Sequence, residues 1–255
     1  MSIRLTILGK SPSWQDVDGA CSGYLIEAAG ERLLLDCGNG VLAKLRLHAS
    51  YEEVDAVLIS HLHADHILDL VPFAYVRTYG PPAKRAAVPL LHAPPGSRDA
   101  MRRLGGVFGS NNEPLIENAF ELREYDPGGE LEIGPLRARF QLVPHYIPSY
   151  AIELSDGSGR RLVFSADCGP NEELVEFARG AQLLLIEATL TEPDLEDHAH
   201  LTAAEAGEIG RRAGVERLLV THFSADLGAD NVCARAAEAF GGPVEAAVEG
   251  ARYEV

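Results

Sequence analysis

Hydrophobic positions come in short runs, and the runs change period along the chain. Ile3 to Leu8 alternates and stops at Gly9. Gly23–Glu27 and Arg32–Asp36 read as an antiparallel pair around Ala29-Gly30. Val54–Ser60 is an apolar, β-branched run that ends directly in a histidine, which is the pattern of a buried strand. Ile67–Tyr79 and Ser97–Leu104 have helical spacing, the second with Ser97 as its cap. Gly105-Gly106-Val107-Phe108-Gly109 reads as a flexible loop. Ala119–Tyr125, Glu130–Ile133 and Leu136–Val143 are expected as antiparallel strands, and Tyr150–Leu154 with Arg161–Ser165 as a hairpin around Asp156-Gly157-Ser158-Gly159. The last third alternates strand and helix. Gln182–Ala188 and Arg217–Thr221 are apolar strands, and Thr202–Ala213 is a helix with Thr202 and Glu205 as a capping box. A helix over Asn231–Phe240 and a strand over Val244–Val248 close the chain. This rhythm predicts one α/β domain over residues 1–255, with mixed sheets and helices outside.

Composition narrows the setting. At 46% hydrophobic and 24% charged, the chain has an ordinary globular balance, and no apolar run approaches the ~20 residues of a membrane span. The N-terminal residues lack a basic head followed by a long apolar core, so no secretory signal is expected. Four cysteines without Cys-x-x-Cys spacing read as reduced thiols, and a cytoplasmic setting follows. Lys and Arg number 22 against 38 Asp and Glu, a net charge of −16. With no basic run longer than a pair, nucleic acid is an unlikely partner and a membrane is not expected.

Candidate chemistry concentrates at Ser60-His61-Leu62-His63-Ala64-Asp65-His66, which puts three histidines and an aspartate within six positions behind a strand. Imidazole nitrogen and carboxylate oxygen together suit borderline divalent metals. A local cluster cannot complete a two-metal shell, so further ligands are expected at other strand ends. His145 follows Leu136–Val143, Asp167 follows Arg161–Ser165, and His222 follows Arg217–Thr221. His48, His92 and His198, read as lying in helices or turns, fit solvated or packing roles better. Phe73, Tyr75, Val76 and Tyr79 read as core or a homodimer surface, and Trp14 as a pocket edge or a subunit contact.

The order His61-x-His63-x-Asp65-His66, His145, Asp167, His222 resembles the ligand series of the metallo-β-lactamase fold superfamily. That resemblance implies a four-layer αβ/βα sandwich and two divalent ions, zinc first, with manganese, iron or cobalt compatible. It implies that His61, His63 and His145 hold one ion, that Asp65, His66 and His222 hold the other, and that Asp167 bridges them. Cys168 adjoins Asp167 but is not expected to ligate.

Glu187-Ala188-Thr189 and His200-Leu201-Thr202 resemble the paired motifs of the RNase Z-like branch. There the glutamate orients a histidine near the scissile phosphate, so Glu187, His200 and Asp65 are the implied catalytic residues. Most RNase Z members insert a tRNA-gripping arm between the positions matching His145 and Asp167. Here 22 positions separate them, filled by the expected hairpin. The chain is more similar to arm-less members, YhfI-like proteins and atypical bacterial cyclic-nucleotide phosphodiesterases. The implied activity is hydrolysis of a small phosphodiester, a cyclic nucleotide first. An RNA 3′-processing endonuclease, a thioester or lactone hydrolase, and a low-turnover metal sensor are the alternatives, since one fold hosts many chemistries.

Overall fold

Alternate residues of a strand point to opposite faces, so a strand that is apolar on both faces must be covered on both. The strands of this chain follow that rule. Leu5 and Ile7 of β1 (Arg4–Gly9), and Tyr24 and Ile26 of β2 (Gly23–Ala28), join one core, while Leu8 and Leu25 join another. The computed structural model describes residues 2–80, 87–108, 114–194 and 199–255. The chain continues through β3 (Glu31–Leu35), α1 (Val41–Leu45), β4 (Ala56–Leu58), α2 (Ala64–Ile67), α3 (Leu70–Tyr79), β5 (Leu90–Ala93), α4 (Ser97–Phe108), α5 (Leu115–Ala119) and β6 (Glu121–Glu124). The second half holds β7 (Glu130–Ile133), β8 (Leu136–Val143), β9 (Ser149–Ser155), β10 (Arg161–Phe164), α6 (Glu172–Phe177), β11 (Leu183–Glu187), α7 (Ala203–Ala213), β12 (Arg217–Thr221), α8 (Ala229–Phe240), β13 (Val244–Ala246) and β14 (Arg252–Glu254).

Two seven-stranded sheets result, ordered β14-β1-β2-β3-β4-β5-β6 and β13-β12-β11-β10-β9-β8-β7. In each, one stretch is antiparallel and the other parallel: β3 to β6 in the first sheet, β10 to β13 in the second. Between the sheets lies a core of Leu5, Ile7, Leu58, Phe140, Ile152, Phe164 and Leu185. The outer face of the first sheet is covered by α1 to α5, with Leu45, Phe73, Met101 and Ile116 in the contact. The outer face of the second is covered by α6 to α8, through Leu174, Ile209 and Val232. This is the expected four-layer αβ/βα sandwich. Among the described residues no helix is long and apolar enough to cross a membrane.

Several local expectations change. Residues 64–79 form two helices, not one from Ile67, because the metal-type motif winds into the short turn α2 before α3 begins. α4 runs through Gly105 to Phe108, where a loop was expected, with Gly105 buried against α5; Gly109 lies outside the described residues. Ser97 is the first residue of α4, and its hydroxyl donates to the Pro94 carbonyl instead of accepting from the helix. β6 is preceded by the unexpected α5 and pairs parallel to β5, so it is not an antiparallel neighbour of β7. The closing strand β14 returns to pair with β1. The Thr202–Glu205 capping box is present as read.

Candidate metal centre

Parallel strands end on one side of a sheet, and here both sheets turn their ends to the same edge. His61 and His63 follow β4, and α2 carries Asp65 and His66. From the second sheet, His145 follows β8, Asp167 follows β10, Glu187 ends β11 and His222 follows β12. Of the five non-glycine residues with positive φ among those described, Asp36, Ala166 and His222 sit at these strand ends. Such backbone costs of order 1–3 kcal/mol each and persists where the surroundings hold it. Gly38 is required by close approach, since a Cβ there would stand 1.8 Å from the carbonyl oxygen of Asp65.

The seven expected ligand residues converge in two groups. His61, His63, His145 and Asp167 bring their ligand atoms within 4.8 Å of one another, as do Asp65, His66, Asp167 and His222. Asp167 belongs to both. His63 Nδ1 lies 3.2 Å from His61 Nε2 and 3.0 Å from His145 Nε2. His222 Nε2 lies 3.1 Å from Asp65 Oδ2 and 3.3 Å from Asp167 Oδ2.

The other ring nitrogens explain this convergence. His66 Nδ1–H donates to Asp36 Oδ2 at 2.7 Å, and His145 Nδ1–H to the Ala199 carbonyl at 2.9 Å. The Ser60 hydroxyl donates to Asp36, which leaves its oxygen to accept from His61 Nδ1–H, and Thr189 Oγ1 stands 2.9 Å from His222 Nδ1. With their Nδ1 atoms occupied, His61, His66, His145 and His222 turn Nε2 inward, while His63 presents Nδ1, and such second hydrogen bonds are what fix the tautomers of metal-binding histidines. His66 Nε2 is buried and has no hydrogen-bond partner, 3.3 Å from Asp167 Oδ1. A buried, orphaned nitrogen among five histidines and two carboxylates fits a pair of divalent cations, whose charge would satisfy donor atoms that nothing else does.

Electrostatics agree. Burial opposes ionisation of Asp65, yet His222 and His66 hold its carboxyl well below the usual range, and Asp167 behaves likewise beside His222 and His66. Burial and the neighbouring imidazoles keep His61 and His63 neutral, and burial does the same for His145. His66 is the exception: burial is outweighed by Asp167 and Asp36, which raise its pKa and favour the protonated ring until a cation displaces that proton. Cys168 is fully buried, its thiol pushed up by burial and by Glu187, and it belongs to neither ligand group.

Beside the cluster stands the expected Glu187–His200 pair. His200 Nδ1–H donates to Glu187 Oε1 at 2.9 Å, and its ring lies parallel to His222 and edge-on to His145. Burial lowers the His200 pKa, but the hydrogen bond and charge of Glu187 prevail and bring it up to about 9. Glu187 is itself fully buried and accepts from the Cys168 and Leu201 amides and the Thr189 hydroxyl.

Asp36 was missed in the sequence, where it read only as the end of the strand Arg32–Asp36. It obeys the same strand-end rule as the ligands. His92 is buried on β5, not in a helix or turn, and lies outside these groups; His198 is outside the described residues. Trp14 is exposed on a loop held beside His222: Asp16 accepts from the Ala225 amide, and Lys10 donates to both Asp16 and the Phe223 carbonyl.

Comparison with known proteins gives a consistent answer. The family described as the beta-lactamase superfamily domain matches residues 31–223. An uncharacterized protein of Mycobacterium leprae is 37% identical over 259 residues, covering 100% of this chain and 89% of that one. YhfI of Bacillus subtilis, whose name assigns it to the metallo-hydrolases, is 28% identical over 254 residues, covering 99% and 100%. Its crystal structure matches with a TM-score of 0.89 at 27% identity, covering 100% of both chains. A ribonuclease Z of Bradyrhizobium diazoefficiens is 30% identical over 287 residues, covering 92% and 94%. A relative with that name leaves the expectation against nucleic acid unsupported. Net charge describes the whole surface, whereas Arg98, Arg102 and Arg103 lie exposed together on α4. Fold, convergent His and Asp cluster and relatives agree: the chain belongs to the beta-lactamase superfamily and is a hydrolase of the metallo-β-lactamase fold, homologous to YhfI and the ribonuclease Z proteins.

Proposed function

We propose that the chain is a phosphodiesterase acting with two divalent cations on a small phosphodiester, a 3′,5′-cyclic nucleotide such as cyclic AMP, opened to its 5′-monophosphate. The observation that carries this reading is the Glu187–His200 pair, a histidine anchored by a buried carboxylate directly beside both ligand groups. His61, His63 and His145 would hold one cation and Asp65, His66 and His222 the other, with Asp167 shared. Their nitrogen and carboxylate donors favour zinc, with manganese, iron or cobalt compatible. When bound, such a pair acidifies water and offsets charge building on phosphoryl oxygens.

The protein's own groups supply the rest. Glu187 fixes the tautomer of His200 and leaves Nε2 to carry a proton to the departing 3′ oxygen. Asp36, Ser60, Thr189 and the Ala199 carbonyl hold the ligand imidazoles in place, so little reorganisation is needed when substrate arrives. Asp65, with Oδ2 beside His222 Nε2, would steer the proton of the attacking hydroxide.

The test is turnover of cyclic AMP and of a tRNA precursor by metal-loaded protein, His63→Ala and His200→Ala. Cyclic AMP hydrolysis that both variants lose supports the reading. Cleavage of tRNA without cyclic AMP turnover, or hydrolysis of thioesters or lactones alone, overturns it.

A further inference from the structure

One tyrosine ring beside the Glu187–His200 pair is unused by anything derived above. Tyr146 directly follows His145 in the turn between β8 and β9. Its ring centroid is 5.2 Å from that of His145, and it meets His200 edge-on at 6.0 Å. Yet Tyr146 is 57% exposed, while Tyr24, Tyr125 and Tyr150 are buried. The turn is stiff, with Pro148 two residues on and the His145 imidazole tied to the Ala199 carbonyl, one residue before His200. A large flat side chain, more than half exposed, therefore stands beside the site. Rigid aromatics of this kind give contact area at little conformational cost and stack on any nucleobase.

We propose that Tyr146 is the base-stacking residue of the site, so that the phosphodiester it takes belongs to a nucleoside and not to a sugar or a lipid alcohol. This rests on the phosphodiesterase reading and sharpens it. Tyr146 has no part in holding cations or moving protons. Its contribution is to bind the base, and through it to place the phosphate between His200 and the two ligand groups.

The test separates this from the reading it rests on. Calorimetric titration of metal-loaded protein with AMP and with ribose 5-phosphate reads stacking without turnover. In the parent protein AMP is expected to bind about tenfold tighter than ribose 5-phosphate, the increment of one stacked base. Tyr146→Phe keeps that ratio, and Tyr146→Ala brings it to within about twofold of unity while binding of ribose 5-phosphate stays as in the parent. In cyclic AMP turnover the alanine variant should raise KM about tenfold with kcat within twofold. An AMP preference that survives Tyr146→Ala, or no AMP preference in the parent, overturns the proposal and leaves the tyrosine as a surface or partner contact. Loss of the preference in Tyr146→Ala without any cyclic AMP turnover keeps the stacking site and overturns the cyclic-nucleotide reading instead.

Discussion

Replacing Glu187 with glutamine changes one atom, and the surroundings determine what that costs. Oε1 accepts from the Cys168 amide at 2.7 Å and from His200 Nδ1 at 2.9 Å. Oε2 accepts from the Thr189 hydroxyl at 2.7 Å and the Leu201 amide at 3.1 Å. All of these partners donate. A glutamine must turn its NH2 group to one side or the other. His200 can change tautomer and Thr189 can rotate, but the two backbone amides cannot. Either orientation therefore leaves a buried N–H facing another donor, at about 1–3 kcal/mol. The variant also removes the charge that raises His200 to about 9. From an ordinary value near 6.5 this shift corresponds to about 3 kcal/mol. Because the folded-state pKa is raised, that stabilisation is fully present below about pH 6.5 and disappears as pH climbs through about 9. Glu187→Gln should therefore unfold at lower urea, with the largest deficit below pH 6.5 and a smaller one above pH 9. If His200 works as an acid, the basic limb of phosphodiester hydrolysis should move from near pH 9 toward 6.5. A variant with parental urea stability and an unmoved basic limb would refute the reasoning.

Three further outcomes are expected. Asp36→Ala removes the acceptor of His66 Nδ1–H, so metal affinity should fall about 10- to 100-fold, read as metal content at fixed free zinc. His92 is buried, and burial with nearby Arg123 lowers its pKa to about 4; the unfolded chain therefore binds the extra proton, and stability should fall by about 2 kcal/mol between pH 7 and pH 5. His92→Leu should flatten that slope in urea unfolding. Gly207→Ala would set a Cβ 2.2 Å from the Ala236 carbonyl oxygen, prising α7 from α8 at about 1–3 kcal/mol by the same measurement.

The residues that converge in the two groups were legible because they stand at or just beyond the ends of apolar strands, a local pattern. Asp36 follows that rule too but sits among glycines that announce a turn, and its role depends on His66, thirty positions on. α2 escaped notice because four residues show no helical period, and its turn is set by packing of the Asp36–Gly40 loop, where the Cys37 amide donates to the His66 carbonyl. The glycines of α4 looked like a loop because propensity is local, whereas contact with α5 makes Gly105 useful. β14 pairs with β1 across almost the whole chain, so no neighbouring pattern marks it.

Sequence alone determined the alternation that makes each strand two-faced, the stock of imidazoles and carboxylates, and the strand ends that carry them. Tertiary structure decided which ends meet: His63 with His145, 82 positions apart, and Asp65 with His222, 157 apart. It also decided which ring nitrogens are tied and which left bare, and that Tyr146 stays exposed beside His200. Periodicity is a property of neighbours along the chain. Convergence is a property of packed sheets, where burying apolar surface between two layers brings distant polar ends to one edge.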